Sequence, residues 1–162
     1  MRRYGLERST DRIIECVEKG LSVFQGNIDE GLRDFEDHSF DCVVLNQTLP
    51  VIQRPLYVVE EMLRVGKRAI ISFANFGYWQ VRLRLLVTGR MPVVEPLPYE
   101  WYNTPIIHPL TIKDFVFLCR RYDFSILQSG YFHALEEGDI KYRLRAPNRR
   151  AAYALFMITR AW

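Results

Sequence analysis

The 162 residues are 49% hydrophobic and 25% charged, with a formal net charge of +3. That is the profile of one globular domain and excludes a disordered, collagen-like or low-complexity chain. The longest strongly apolar stretch, Ala69 to Ala74, falls far short of the ~20 residues a membrane span needs, so no membrane association is expected.

In chain order, Arg3 to Leu6 is a short strand candidate. Thr10 to Lys19 is a helix with Ile13, Ile14 and Val17 on one face and Gly20 as its stop. Leu21 to Gln25 is a strand ended by Gly26, and a short turn or helix is expected over Gly31 to Phe35. Phe40 to Leu45 is an apolar, buried strand. Pro55 to Arg64 is a helix with proline in its first turn and Leu56, Val59 and Leu63 on one stripe. Arg68 to Phe73 is a second buried strand, and Tyr78 to Thr88 a helix. Gly89 to Pro109 is crowded with prolines and aromatics, which disfavour regular pairing, so a structured loop is expected. Thr111 to Tyr122 is a helix with Thr111 as N-cap, Asp114 three residues on, and a core stripe of Ile112, Phe115, Val116 and Cys119. Phe124 to Tyr131 is a strand, His133 to Arg150 a charged hairpin or loop, and Tyr153 to Thr159 a last strand.

The β-α-β-α-β rhythm of the first half, with nearly continuous apolar strands, predicts a parallel sheet covered by helices. In such sheets ligands gather at the carboxyl ends of the strands. That rule selects Glu7, Gly26 to Glu30, Asn46 to Thr48, and Ala74 to Gly77.

Charge is unevenly spread: net −5 over residues 1–61 and +8 over residues 62–162. Arg143, Arg145, Arg149 and Arg150 cluster near the end, either to meet phosphates or an acidic partner or as a solvated face. No nucleic-acid module accompanies them, so a nucleic-acid partner is not expected. Cys16, Cys42 and Cys119 are odd in number, far apart and set in apolar-patterned segments. This argues against a disulfide framework or zinc site and for small core residues in a reducing cytoplasm. Cys42, placed within the third strand, is expected to be buried. Met1 to Glu7 has no apolar run of the signal-peptide kind.

Several stretches carry a family pattern. Leu6-Glu7 closing a strand, Gly26-Asn27-Ile28-Asp29 after the next, and Phe40 to Leu49 resemble the class I S-adenosylmethionine-dependent methyltransferase fold. More narrowly, Gly26 to Leu32, Leu45 to Leu49, Glu60 to Gly66, Ser72 to Gly77 and Leu97 to Pro105 resemble the MetW family of methionine biosynthesis proteins, over about residues 3–133. The resemblance implies a three-layer α/β/α sandwich of Rossmann-like type with a mostly parallel sheet. It implies a single methyltransferase-like domain over residues 1–162, with a loop or lid at 89–109 and a charged hairpin or loop at 133–150. That fold opens with a strand and a glycine-rich Asp-x-Gly-x-Gly turn, and no such turn precedes Glu7. The first β-α unit is therefore expected to be missing, leaving its two flanking strands without their shared partner.

The resemblance also assigns roles. S-adenosylmethionine is the implied cofactor. Glu7 would take its ribose hydroxyls, unless it is a solvent-facing strand end; a carboxylate has the acceptors for that task. Asn27 would meet the adenine and Ile28 would bind the cofactor beside it, with capping of the following turn by Asp29 and Glu30 as the other reading. Asn46, Gln47 and Thr48 would lie beside the methyl group, or form a polar turn; none is a good base near pH 7. His108 is either a general base or a ring packed on Trp101 or Tyr102. Asn75, Tyr99, Trp101 and Tyr102 would meet substrate or a partner, or cap the sheet. MetW-like proteins work beside a homoserine O-acyltransferase in forming O-acetyl- or O-succinylhomoserine. This chain is then expected to be a non-catalytic or regulatory partner of that enzyme, sensing S-adenosylmethionine. The alternative functions are an active small-molecule methyltransferase and a basic interaction module.

Overall fold

A computed structural model describes residues 3–133 and 144–160. In chain order the elements are β1 (Tyr4–Glu7), α1 (Thr10–Glu18), β2 (Ser22–Gln25), β3 (Val43–Asn46), α2 (Pro55–Val65), β4 (Ala69–Ala74), α3 (Trp79–Thr88), α4 (Ile112–Arg121), β5 (Phe124–Phe132), α5 (Pro147–Arg150) and β6 (Tyr153–Arg160). Single 3-10 turns at Ile28–Glu30 and Leu49–Val51 follow β2 and β3.

The strands form two sheets. β1 pairs with β2 in parallel, and a four-stranded sheet runs β3-β4-β6-β5. β3 and β4 are parallel, while β6 lies antiparallel to both β4 and β5. The parallel pairings fall where the β-α alternation predicts them, and β6 enters antiparallel between β4 and β5. Among the described residues β1, β2, β3 and β5 each keep one edge without a strand partner.

β4 is buried nearly throughout, and its side chains hold the core together. Phe73 lies 5.2 Å from Phe115 of α4 and 6.0 Å from Phe156 of β6, and those two are 4.9 Å apart, measured between ring centroids. From α2, Val58, Val59, Met62, Leu63 and Val65 join this core. Gly66 ends α2 where a Cβ would meet Val43 at 2.7 Å and the Met62 carbonyl at 3.0 Å, so only glycine lets the chain turn into β4 so tightly. Gly77 does the same against the Asn148 backbone at 2.8 Å.

The β1-α1-β2 unit is attached more lightly. Leu6 and Ile28 pack on the main core, and Tyr4, Phe24, Phe35 and Phe40 form a chain of ring contacts. No residue of α1 is buried, and Ile14 and Val17 of its apolar face are exposed.

Local details depart from the sequence reading. The third strand begins at Val43 rather than Phe40, which makes only an isolated bridge to Gly66. Cys42 therefore precedes the strand and is half-buried, as is Cys16; Cys119 alone is buried, and burial pushes its thiol up to about 11. The turn expected over Gly31 to Phe35 is preceded by the Ile28–Glu30 3-10 turn, because Asn27 caps it. Within 133–150, α5 forms at Pro147–Arg150, with Arg145, Arg149 and Arg150 exposed; Arg143 lies outside the described residues. Among the described residues no helix is long and apolar enough to cross a membrane.

Candidate functional site

Glu7 closes β1 in register with Gln25 of β2, and the Gly26 amide donates to the Glu7 carbonyl. Its side-chain Oε1 accepts from the Ser9 amide at 3.0 Å and the Arg8 amide at 2.9 Å. The Ser9 amide, aided by the Arg8 amide and the Arg12 guanidinium, holds the carboxyl below its usual range against the opposing effect of burial. No donor among the described residues reaches Oε2, so the group is oriented with one oxygen left over.

Asn27 follows at the tip of β2. Its Oδ1 accepts from the Asp29 amide at 3.2 Å and its Nδ2 donates to Glu30 at 3.4 Å, so its amide caps the turn. Ile28 is half-buried on the main core. Asp29 was not expected to do more than cap, yet its Oδ1 accepts from the amides of Gln53 (2.8 Å) and Arg54 (3.2 Å). The Arg54 guanidinium also donates to the Asp29 carbonyl. These bonds tie the segment after β2 to the segment after β3. The tips of both sheets therefore share one end of the molecule.

At the β3 tip the polar side chains engage each other. Ser72 of β4, opposite Asn46, donates its hydroxyl to Asn46 Oδ1 at 2.5 Å. The Gln47 backbone takes the left-handed region at φ 53° and turns its amide onto Ser72, donating to the carbonyl at 3.0 Å and to Oγ at 3.1 Å. Thr48 Oγ1 donates to the Asn46 carbonyl at 2.8 Å. Asn46 is exposed, and its Nδ2 makes no hydrogen bond among the described residues. Ser72 was legible only as the one polar residue in an apolar strand.

Asn75 is placed differently from the ligand-facing role expected of it. It is fully buried, its Oδ1 accepts from the amides of Gly77 (2.9 Å) and Ile112 (3.2 Å), and its Nδ2 donates to the carbonyls of Asn148 (3.1 Å) and Ala151 (2.7 Å). Every hydrogen-bonding position of the amide is spent on joining β4, α4 and α5.

The 89–109 loop closes over the same end. The amides of Ile107 and His108 both donate to the Pro50 carbonyl, at 3.0 and 2.9 Å, and Phe76 donates to Leu110. His108 is exposed with Nε2 3.3 Å from the Gln53 carbonyl. Tyr99 and Trp101 line a small apolar cavity with Phe76, Met91, Leu97 and Ile106. Trp101 and Tyr102 meet edge to face at 5.8 Å and are among the most exposed aromatics, 72% and 70% accessible. A second cluster of buried residues, including Ala74, Val81, Leu97 and Tyr153, fixes this loop and α3 to the ends of β4 and β6.

This part of the molecule carries the oriented Glu7 carboxylate, the exposed Asn46 and the exposed His108, while Tyr99 and Trp101 line a cavity of their own. It can accept from hydroxyls and donate to a carbonyl. Apart from His108 it presents no side chain that would serve as a base near neutral pH.

Comparison with known proteins gives three findings. A family model described as methionine biosynthesis protein MetW matches residues 1–158. A curated relative, the bifunctional methionine biosynthesis protein MetXA/MetW of Rhodopirellula baltica, is 37% identical over 114 residues, which are 70% of this chain and 18% of the relative. The chain therefore spans less than a fifth of the length of that protein. Among solved structures, an S-adenosylmethionine-dependent methyltransferase of Thermotoga maritima superposes with a TM-score of 0.72 at 17% identity, over 98% of this chain and 73% of the other. One from Mesorhizobium loti gives 0.65 at 13% identity, over 98% and 80%. At these identities the likeness concerns the fold.

Proposed function

The chain belongs to the family of the methionine biosynthesis protein MetW, and on that premise we propose that it is the non-catalytic partner of a homoserine O-acyltransferase in the cytoplasm. The observation that carries this reading is the relative in which MetXA and MetW are one polypeptide. Two functions kept in one chain are held at a fixed high effective concentration, which is useful when the parts act on each other. The strand-tip chemistry agrees. Asn46, Gln47 and Thr48 are bonded to Ser72 and to one another, an arrangement that shapes a turn and leaves no group to activate a nucleophile.

S-adenosylmethionine is the ligand this end would sense. When bound, it would carry a sulfonium methyl group. Glu7 would hold its ribose through the unengaged Oε2, since Oε1 is already fixed by two amides.

The test mixes the purified chain with a homoserine O-acyltransferase, homoserine and acyl donor. Co-elution, a rise in acyltransferase turnover, and a response of that rise to S-adenosylmethionine are expected. Transfer of label from methyl-labelled S-adenosylmethionine to a metabolite extract, with no effect on the acyltransferase, would instead establish the second reading, a small-molecule methyltransferase. That reading rests on the fold of the solved neighbours.

A further inference from the structure

Helix α3 buries only Val81. Trp79, Leu83 and Leu86 recur at spacings that put them on one face, with Val87 beside them, and all four are exposed; Leu86 and Val87 are 83% and 73% accessible. In the loop that follows, Met91, Tyr99 and Trp101 are exposed too and line its apolar cavity. A surface helix of a free-standing domain carries polar residues on such a face. Contiguous apolar surface of this kind marks an interaction site.

The charge beside it is one-signed on the helix. α3 contains Arg82 and Arg84 and no acidic residue, and Arg90 follows its end. The ion pairs among the described residues are those of Arg64 with Asp37 and Glu61 and of Lys67 with Asp41, so none of these three arginines is neutralised. Arg84 donates to the Val93 carbonyl, which fixes the helix to the loop; Arg82 stands on the exposed stripe between Trp79 and Leu86. An apolar ridge flanked by unpaired guanidinium groups is complementary to a protein surface with apolar pockets rimmed by carboxylates. Arginine and aromatic residues are also the side chains that dominate such contacts.

From this juxtaposition we infer that the exposed face of α3 is the surface on which the acyltransferase docks through an acidic, apolar patch. The inference rests on the partnership proposed above and adds where the contact is made. It lies beside the strand-tip end, since Val81 and Leu97 anchor the face to Ala74 at the tip of β4. A ligand held by Glu7 and a protein held by α3 would then be felt through the same loop.

The experiment measures binding of the chain to the acyltransferase by calorimetry at two salt concentrations. Leu86→Asp and the pair Arg82→Glu with Arg90→Glu are compared with wild type and with Phe117→Ser, an exposed apolar residue of α4 distant in sequence. Both sites are solvent-exposed, so unchanged circular dichroism and melting temperature are expected for every variant. Loss of about tenfold or more in affinity for the two α3 variants, with Phe117→Ser unaffected and wild-type binding weakened by salt, supports the inference. Wild-type binding that the α3 variants leave intact overturns the docking face while the partnership stands. Absence of binding by wild type overturns the partnership and the docking face with it. Two further results overturn the acyltransferase as occupant: self-association in sedimentation that only the α3 variants abolish, and adsorption to vesicles of anionic lipid with no acyltransferase binding.

Discussion

Two side chains hold more of this structure than their place in the sequence suggests. Arg64 donates to both oxygens of Glu61, to Asp37 at 2.6 Å and to the carbonyls of Leu32 and Phe35, binding the 31–40 connection to α2. Glu61 in turn accepts from the Leu32 amide at 2.9 Å. The Arg64 guanidinium, helped by that amide, holds the Glu61 carboxyl below the usual glutamate range although burial acts the other way. A carboxyl whose folded value is depressed contributes stability that is fully present above its unfolded value. That contribution is lost as pH falls through the folded value. Glu61→Gln is expected to cost about 2 kcal/mol at pH 7, read from denaturant midpoints. The gap to wild type should shrink as pH falls below the ordinary glutamate range and through the depressed folded value; a gap independent of pH would refute the assignment. Asn75→Ala strands two buried amides and two carbonyls at once. About 3 kcal/mol or more of lost stability is expected in the same assay, while Asn46→Ala, exposed at its tip, should cost far less. The type and position of Asn75 were readable in advance. Three of its four partners were not, because they lie 37 to 76 positions further along the chain.

At the level of single elements the local rules are strong. α4 starts with a capping box in which the Thr111 hydroxyl accepts from the Asp114 amide and the Asp114 carboxylate accepts from the Thr111 amide at 2.9 Å. Thr111→Ala should therefore destabilise the protein by about 1 kcal/mol. Thr111→Ser, which keeps the oxygen, should restore most of it; equal losses for the two would mean the cap carries no weight. The stripe read for this helix, Ile112, Phe115 and Cys119, is its buried face, with Val116 half-buried beside it. The same reasoning on α1 found a real apolar face with nothing over it. Periodicity reports which side of a helix is apolar, and what covers that side is decided by other parts of the chain. α3 makes the same point, with most of its apolar residues facing outward.

Across the whole molecule, cohesion is graded. β4 and β6 are each paired on both sides and carry the central phenylalanines. Among the described residues β1 and β2 pair only with each other, and the helix between them buries nothing. Hydrogen exchange should follow this gradient. Amides of Ala69–Ala74 and Tyr153–Arg160 should exchange at least about tenfold more slowly than those of Tyr4–Gln25, through an opening that spares the four-stranded sheet. Equal protection across both sheets, measured by mass spectrometry of proteolytic peptides, would show that they open as one unit. The division also explains how the candidate site is built. Its two halves come from separate sheets and meet through Asp29, Gln53 and Arg54.

The succession of strands and helices, the cap of α4, the buried character of β4 and the family pattern from Gly26 to Pro105 were all determined by the sequence alone. Each depends on neighbours a few residues apart or on a motif read in order. Only the tertiary structure decided that Asn75 is a tether, that Asp29 joins the two sheets and that α3 turns an apolar, arginine-flanked face outward. Hydrogen-bond satisfaction and burial are properties of residues brought together from distant positions, and no local pattern records which of those partners will arrive.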